Sequence, residues 1–349
     1  ISSIPARRGF KRDIVVSPGI DPSVIRVRYT GQDALALDSD GNLLVKTASG
    51  AIREAAPVCY QERGGERVPV SCTYTLPGNG FVGFIVGAYD PALPLVIDPY
   101  LDFSTYLGGN REDRGYAVAV DSSGSVYVTG GTQSVDFPYP SWKARYQEFP
   151  RGGLDAFITK IEPDGLALNY STYMGGRYDD VGNGIAVNES GYAFITGYTL
   201  SANYPVLKAF QPNKSAGCTL CSDADAFISV LTPEGNDLEF SSFLGGNMTD
   251  IGQAIALNST GRAIMTGYTG SRDFPNTTGA YDQVLNGTWD AFVTGVSYDG
   301  ATSTIDFSTY LGGGKTDKAF GIAIGPNDDI YITGLTQSTS FPTRSWKQK

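Results

Sequence analysis

Aspartate is the residue type in this chain whose spacing could support chemistry. Four aspartates recur at intervals of 67, 70 and 67 residues, each of them four residues after a Gly-Gly pair: Asp113, Asp180, Asp250 and Asp317. Equivalent turns of a closed repeat structure would gather these carboxylates on one face, where they could bind Ca²⁺ or another ligand. Alternatively, each aspartate accepts hydrogen bonds from the backbone amides of its own turn. Both interpretations stay open, and the four residues are the candidate metal ligands.

A second set of aspartates stands directly before Ala-Phe, at Asp155, Asp225 and Asp290. They too could either bind a cation or another ligand, or accept hydrogen bonds from the backbone amides of their own turns. No pair of carboxylates stands outside the repeats, so no glycosidase acid–base pair can be assigned. Histidine is absent, which excludes Ser-His-Asp and Cys-His triads and histidine-ligated zinc or haem. We therefore expect no catalytic residue, no required cofactor and no enzymatic activity.

Four cysteines form two candidate disulfides. Cys59 and Cys72 flank a turn, and a two-residue loop at Gly65-Glu66 would place them directly opposite each other on paired strands, within reach of a disulfide. Cys218 and Cys221 form C-T-L-C, which is either a local disulfide or a redox or metal pair. No second C-x-x-C is available to complete a zinc site. Paired cysteines indicate an oxidising compartment outside the cytoplasm.

Other surface chemistry is suggested by asparagine and tryptophan. Seven asparagines stand in N-x-S/T sequons: Asn169, Asn188, Asn213, Asn247, Asn258, Asn276 and Asn286. They would be glycan acceptors in an archaeal or eukaryotic secreted protein and idle in most bacteria. Trp142 and Trp346, with the tyrosines, either form a sugar-binding surface or pack between repeats.

A repeat must position these residues. The motif F-S-T-Y-L-G-G at 103–109 returns with small changes at 170–176, 240–246 and 307–313, and self-similarity at such a period is typical of repeat architectures. Each unit contains four short apolar runs joined by turn signals, with Thr-Gly at the end of the second run and an aromatic-proline step after it. Four short strands per unit without a helical crossover predict the blade of a β-propeller. The small residues of G-I-A-V fit the innermost strand of the blade.

The chain is therefore predicted to be all-β, with three parts. Residues 1–12 form an N-terminal arm or tail, residues 13–100 a small antiparallel β domain, and residues 101–349 the propeller repeats. The repeats comprise one orphan fourth strand, three complete blades and the first two strands of an incomplete last blade. In the β domain, the alternating residues Val24–Tyr29 predict a half-buried strand.

The repeat motifs resemble a known family. S-T-Y-L-G-G, G-Y-A-V-A-V-D-S-S-G-S-V-Y-V-T-G, D-F-P and D-A-F-I-T-K-I-E-P-D-G look like the SBBP (seven-bladed β-propeller) repeats of bacterial and archaeal surface proteins. The earlier segments D-I-V-V-S-P-G-I-D-P-S-V-I-R-V-R-Y, A-P-V-C-Y-Q-E and G-A-Y-D-P-A-L-P-L-V-I-D-P are similar to the β domain that often precedes such repeats. The resemblance implies a secreted or surface location and no established catalytic residues.

Charge and hydropathy restrict the partners. The net charge of −10 argues against nucleic acid and anionic lipid, which require a basic face. No apolar run reaches the roughly 18 residues of a transmembrane helix. The first residues do not form a signal peptide, so we expect that a signal was removed or that the sequence begins inside a longer precursor.

These observations favour a non-enzymatic extracellular or cell-surface protein, structural or adhesive, such as a filament or surface-layer subunit. Because unpaired strand edges bind other chains, its expected partners are other protein subunits or surface polymers, unless the chain is a fragment of a longer protein. The alternative is a carbohydrate-binding or polysaccharide-acting propeller that uses aspartates facing its channel. A structural calcium role is a third hypothesis.

Overall fold

The computed structural model describes residues 2–3, 14–47, 50–98, 106–163, 165, 167–215 and 223–343. The described residues form β-strands and one short 3₁₀ turn at Pro22–Val24, which confirms the predicted all-β fold. Contacts divide the chain into two units, Ile1–Ser104 and Thr105–Lys349. Most of the predicted N-terminal arm lies outside the described residues. Its Ser2–Ser3 segment pairs as a strand with Val15 and Ile14.

The first unit contains eleven described strands arranged in three antiparallel sheets. They are β1 Ser2–Ser3, β2 Ile14–Val16, β3 Val27–Arg28, β4 Ala34–Leu37, β5 Leu43–Thr47, β6 Gly50–Glu54, β7 Val58–Arg63, β8 Glu66–Val70, β9 Cys72–Gly78, β10 Phe81–Val86 and β11 Leu95–Asp98. The sheet orders are β1-β2-β11-β7-β8, β3-β10-β9 and β4-β5-β6. Val16, Leu43, Val82, Leu95 and Ile97 belong to the buried cluster that these sheets enclose.

The strand predicted for Val24–Tyr29 is wrong in its first half, since only Val27–Arg28 is a strand. Asp21 caps a 3₁₀ turn instead, because its Oδ1 accepts the backbone N–H of Ser23 at 2.8 Å. Pro22 favours this start because its fixed φ suits the first helical position. Local capping therefore overrides a short alternating pattern.

The hairpin of β7 and β8 exists, but its loop lies one residue earlier than predicted, which shifts the pairing of its strands by two residues. The loop is Gly64-Gly65, with φ of 61° and 89°, and glycines suit a type I′ turn because both positions are left-handed. Cys59 is therefore paired with Val70, and Cys72 lies beyond the hairpin in β9. The structure still joins Cys59 to Cys72 in a disulfide. The bond connects two different sheets rather than two neighbouring strands.

The second unit is a series of antiparallel sheets in chain order. Its strands are β12 Asp113–Val120, β13 Val126–Thr132, β14 Asp155–Ile161, β15 Leu168–Met174, β16 Asp180–Val187, β17 Ala193–Thr199, β18 Asp225–Leu231, β19 Leu238–Leu244, β20 Asp250–Leu257, β21 Ala263–Thr269, β22 Asp290–Tyr298, β23 Ser303–Leu311, β24 Asp317–Ile324 and β25 Ile330–Thr336. They form three four-stranded sheets, called blades 1 to 3, followed by the pair β24-β25. The described part of the repeats thus contains three four-stranded sheets and two further strands. The orphan fourth strand predicted around Phe103 falls on residues outside the described ranges.

An aromatic pair recurs in the core of each blade. Phe137 from the aromatic-proline step packs on Phe157 of D-A-F, with ring centroids 4.5 Å apart. The equivalent pairs are Tyr204–Phe227 at 4.5 Å and Phe274–Phe292 at 4.7 Å. All six rings are buried. The aromatic-proline step therefore closes the core of its own blade.

Close backbone approach explains the glycine of each Thr-Gly step. A Cβ added to Gly197 would lie 1.8 Å from the carbonyl oxygen of Val181, where the register of β16 shifts at a bulge. The equivalent distances at Gly130, Gly267 and Gly334 are 1.8, 1.9 and 2.0 Å. None of these glycines has a positive φ, so the missing side chain, not a left-handed backbone, is what the position requires.

The first strands of neighbouring blades lie against each other, as expected for the innermost strands. A Cβ at Gly184 in β16 would lie 3.0 Å from the Cα of Ala254 in β20. The Asn183 side-chain amide also donates to the Gly252 carbonyl at 2.9 Å. Only small residues fit at this contact, which accounts for the repeated G-I-A-V pattern.

Candidate functional site

Each turn aspartate binds the turn that precedes it. Asp180 Oδ2 accepts the backbone N–H of Gly176 at 2.6 Å and the Ser201 hydroxyl at 3.0 Å, and Asp180 Oδ1 accepts the Thr199 hydroxyl. Asp180 is fully buried. The carboxylate thus fastens the Gly-Gly turn to the end of the second strand of its own blade.

The same arrangement recurs at the other three turn aspartates. Asp113 accepts the N–H of Gly109 at 2.8 Å, Asp250 that of Gly246 at 2.7 Å, and Asp317 that of Gly313 at 2.7 Å. The serine contacts are at Ser134, Ser271 and Ser338, with distances of 2.9, 2.8 and 2.7 Å. In every copy, therefore, the aspartate accepts a backbone N–H group of its own turn.

Sequence reasoning missed the hydroxyl partners. They form a Thr-x-Ser pattern that begins two residues after the glycine of each Thr-Gly step, at Thr132/Ser134, Thr199/Ser201, Thr269/Ser271 and Thr336/Ser338. In the first three copies the threonine hydroxyl donates to the turn aspartate. The signal was available, since the pattern recurs with the same spacing as the aspartates.

The aspartates of D-A-F hold the end of the variable loop that precedes them. Asp155 Oδ2 accepts the N–H groups of Arg151 at 2.8 Å and Gly152 at 3.1 Å. Asp225 accepts the N–H of Ser215 at 2.8 Å, and Asp290 that of Asn286 at 2.8 Å. All three aspartates are fully buried.

The two kinds of aspartate meet at each junction between consecutive sheets. A Cβ added to Gly175 would lie 1.9 Å from Asp155 Oδ1 and 2.8 Å from Asp180 Oδ2. At Gly245 it would lie 2.8 Å from both the Asp225 carboxyl carbon and Asp250 Oδ2. The first glycine of Gly-Gly therefore separates two buried carboxyl groups, which we call a junction pair.

Burial raises the pKa values of the four carboxyl groups at these two junctions. It raises the pKa of Asp180 and of Asp250 to about 7, against the opposing effect of their hydrogen bonds, and the neighbouring Asp155 or Asp225 adds to the increase. The pKa of Asp225 rises to about 6 for the same first reason. A buried carboxylate is costly, so burial favours the protonated form of these groups.

The turn aspartates do not meet in one shared site. Within the described residues, no three histidine, cysteine, aspartate or glutamate side chains gather in an arrangement that could hold a metal ion. Each turn aspartate instead contacts the Gly-Gly turn that precedes it and a hydroxyl group at the end of the second strand of its own blade. Binding of a metal ion or another ligand by these four residues stays a prediction. Asp180, Asp250 and Asp317 expose none of their surface.

The sequons fall into two groups. Asn213, Asn247, Asn276 and Asn286 are exposed. The other three are partly buried and engaged: Asn188 Oδ1 and Asn258 Oδ1 accept backbone N–H groups of their own turns, and the Asn169 amide donates to Glu162 at 2.6 Å. Glycosylation of any of the seven stays a prediction.

The remaining candidates divide between exposed and undescribed positions. Trp142 is 75% exposed. Trp346, Cys218 and Cys221 lie outside the described residues. None of the helical segments in the described part of the chain is long and apolar enough to cross a membrane.

Comparison with known proteins agrees with this architecture. Residues 4–100 match a domain of unknown function, DUF7948, and residues 102–138, 169–205 and 306–342 match SBBP, a beta-propeller repeat. The regulatory protein FlaEY of Caulobacter vibrioides is 27% identical over 229 residues, covering 56% of this chain but only 23% of the relative. The SBBP matches fall on the repeated sheets of the second unit. The chain is therefore a protein of SBBP β-propeller repeats preceded by a DUF7948 domain.

Proposed function

We propose that this SBBP protein is a non-enzymatic structural or adhesion component outside the cytoplasm, acting through assembly and binding to other protein subunits or surface polymers. One observation carries the proposal: the polar residues that recur in every repeat are used to hold the blades. The junction pairs bind turn amides and hydroxyls and are withdrawn from solvent. A repeated acid that builds the scaffold is not available for general acid–base chemistry.

The Cys59–Cys72 disulfide supports the location. It joins two sheets in the core of the first unit, where Cys59 is 2% exposed. Structural disulfides of this kind persist in oxidising compartments and are rare in the cytosol. The bond therefore favours an extracytoplasmic protein.

We expect binding at one end of each blade. Asp113, Thr132, Asp155 and Met174 lie at the same end of blade 1. Asp113 pairs with Thr132, Thr132 pairs with Asp155, and Met174 pairs with Ala156, the neighbour of Asp155. The loop between the second and third strands and the Gly-Gly turn must therefore share this end, which we call the loop end. The Leu154 N–H donates to Asp179 Oδ1 at 3.0 Å and ties the two segments together.

The location can be tested on intact cells that make the protein. A membrane-impermeant biotin reagent should label the chain, and alkylation before reduction should leave Cys59 and Cys72 unmodified. A cytosolic marker in the same cells controls for lysis. A chain that is protected from biotin while Cys59 and Cys72 are alkylated would refute the proposal.

Exposed aromatic side chains at the loop end favour carbohydrate as a second candidate ligand. Trp142, Phe149 and Tyr281 are 75%, 64% and 70% exposed, and aromatic faces stack on apolar faces of sugars. Binding of the chain to insoluble polysaccharides, compared with its Trp142→Ala variant, tests this. Tyr331→Ala, which removes a 60% exposed aromatic from β25, is the control. Equal binding of all three proteins would remove the carbohydrate hypothesis for this surface.

A further inference from the structure

Consecutive sheets of the repeats meet at three junctions, numbered here in chain order: blade 1 with blade 2, blade 2 with blade 3, and blade 3 with β24-β25. At the first two, a glutamine from the loop before the third strand closes the gap beside the Gly-Gly turn. Gln147 Oε1 accepts the Gly175 N–H at 3.1 Å, and Gln211 Oε1 accepts the Gly245 N–H at 3.1 Å. The amide nitrogens donate to the carbonyl groups of Phe149 and Gly245. Both ends of each glutamine amide are therefore used within the protein.

At the third junction Asp282 takes the place of this glutamine. Its backbone N–H donates to the Thr309 hydroxyl at 2.9 Å, as the N–H of Gln147 donates to the Thr172 hydroxyl at 2.8 Å. Aspartate is one methylene shorter than glutamine. Among the described hydrogen bonds, none joins its carboxylate to Gly312, the first glycine of the Gly-Gly turn. The gap that glutamine closes at the other two junctions is therefore open here.

Two neighbouring positions also become smaller at the third junction. The residue directly after Gly-Gly changes in junction order: Arg177, Asn247 and Gly314. The residue whose side chain accepts the N–H of that position changes as well: Asn203, Asp273 and Ser340. Three walls of the same gap thus carry shorter side chains at the third junction than at the other two.

These changes border a cleft of about 470 Å³ at the loop end. Its lining includes Tyr281, Asp282, Asn286, Gly312, Gly314 and Ser340. The Tyr281 side chain is 70% exposed, so its ring is accessible to a ligand. The volume falls within the roughly 300–1,000 Å³ of small-molecule sites.

The second junction also has a groove, of about 780 Å³, but its polar groups are occupied. The Gln211 amide bonds to Gly245 through both its oxygen and its nitrogen, and the Ser215 hydroxyl donates to the Gly245 carbonyl at 2.8 Å. Lys214 Nζ donates to the Asp223 carbonyl at 2.6 Å. The groove at the second junction is thus wider, and the protein itself satisfies the groups that a ligand would need.

The cleft at the third junction leaves both acceptors and donors for a ligand. Asp282 Oδ1 accepts the Val284 N–H at 3.0 Å and Oδ2 accepts the Asn286 amide at 2.6 Å, so each oxygen keeps a lone pair. The Asn286 amide nitrogen also donates to the Val284 carbonyl at 3.1 Å, which leaves its oxygen to accept. The Ser340 oxygen accepts the Gly314 N–H at 3.1 Å, and its hydroxyl hydrogen can be donated. Sugar hydroxyls both donate and accept, so they suit this mixed set.

Charge restricts the kind of sugar. Asp282 is negative, and the described lining of the cleft contains no lysine or arginine. A carboxylate accepts strong hydrogen bonds from neutral hydroxyl groups and repels an acidic sugar. We propose that the cleft between blade 3 and β24-β25 binds a neutral saccharide, whose hydroxyls bond to Asp282 and the Gly312 N–H while one face stacks on Tyr281. This site rests on the carbohydrate candidate of the proposed function and narrows it to one cleft and one class of sugar.

Isothermal titration calorimetry on the full chain tests the site. The chain is made in a host without N-glycosylation, so that Asn286 is unmodified, and is titrated with neutral fragments of glucan, mannan and chitin and with oligogalacturonate as the acidic control. At least one neutral saccharide should bind, and the acidic one should not. Asp282→Gln, which introduces the residue of the other two junctions, should weaken binding about tenfold or more because it removes the charged acceptor and fills the cleft.

Gly314→Asn provides a second variant, which introduces the residue of the second junction. A Cβ at Gly314 would meet nothing closer than 3.9 Å, so this variant should keep the unfolding temperature of the unsubstituted chain and still lose binding. Trp142→Ala, in a loop of blade 1, is the control and should bind as the unsubstituted chain does.

The outcomes separate this site from the wider function. Binding that is weakened by Trp142→Ala but not by Asp282→Gln or Gly314→Asn would refute the cleft and leave carbohydrate binding elsewhere at the loop end. Binding of oligogalacturonate in preference to the neutral fragments would refute the assigned class of sugar. Absence of binding by every saccharide would overturn the proposal without affecting assembly with protein subunits.

Discussion

Removing the Cys59–Cys72 disulfide should destabilise the first unit selectively. The bond closes a loop across 13 residues, and the entropy lost by an unfolded chain with a loop of this length corresponds to about 3 kcal/mol. The double variant Cys59→Ala/Cys72→Ala should therefore lower the free energy of unfolding of β7 and β9 by about 3 kcal/mol. Hydrogen exchange followed by mass spectrometry in increasing urea resolves these strands by peptide.

The chain contains its own control for this experiment. All three tryptophans, Trp142, Trp289 and Trp346, follow the first unit, so tryptophan fluorescence reports the repeats alone and its urea midpoint should not move. The reasoning fails if exchange in β7 and β9 is unchanged in the double variant. It fails equally if the two cysteines of the purified, unreduced chain react with an alkylating reagent.

Two further predictions concern the repeats. With divalent cations chelated, their stability should fall as the pH rises from about 4 to about 7, because burial raises the pKa of Asp180 and Asp250 from 3.8 to about 7 and the folded state then binds more protons than the unfolded state. Urea unfolding at pH 5 and pH 8 measures this, and greater stability at pH 8 would contradict it. Gly197→Ala should lower the free energy of unfolding by about 3 kcal/mol or more, because the new Cβ would lie 1.8 Å from the Val181 carbonyl oxygen. Gly115→Ala, whose Cβ meets nothing closer than 3.5 Å, should be neutral or slightly stabilising in the same thermal unfolding assay, and equal losses would refute the close-approach argument.

The strands of the repeats could be predicted because several signals agree there. Alternating apolar residues, Thr-Gly steps and aromatic-proline steps recur together in the repeats. A strand that is ambiguous in one copy can therefore be predicted from the equivalent segment of another copy. The first unit offered single copies of weaker signals. The hairpin after Cys59 has three residues, Gly64, Gly65 and Glu66, that could supply its loop. The loop can be Gly64-Gly65 or Gly65-Glu66, and each choice gives a different strand register. The structure has Gly64-Gly65, because a type I′ turn requires a left-handed backbone at both positions.

The junction pairs could not be predicted in the same way. The sequence places the aspartates in turns and shows that each set recurs at a fixed position of the repeat. However, Asp155 and Asp180 belong to different sheets. Their approach depends on how one blade packs on the next, at the small residues Gly175 and Gly182. Propensity and periodicity describe single strands, so they carry no information about which carboxyl groups face each other across a blade contact.

We expect ligand binding to involve residues that differ from one repeat to the next. Repeated polar groups, such as the junction pairs, are buried and satisfy backbone groups. The four exposed sequons, Asn213, Asn247, Asn276 and Asn286, all lie in loops or Gly-Gly turns of the loop end, whereas the three engaged sequons lie in or beside strands and turns at the opposite end. Trp142 is also in a loop of the loop end. Because loops vary without disturbing a rigid scaffold, ligand specificity in this protein is expected where the blades differ from one another, at the loop end.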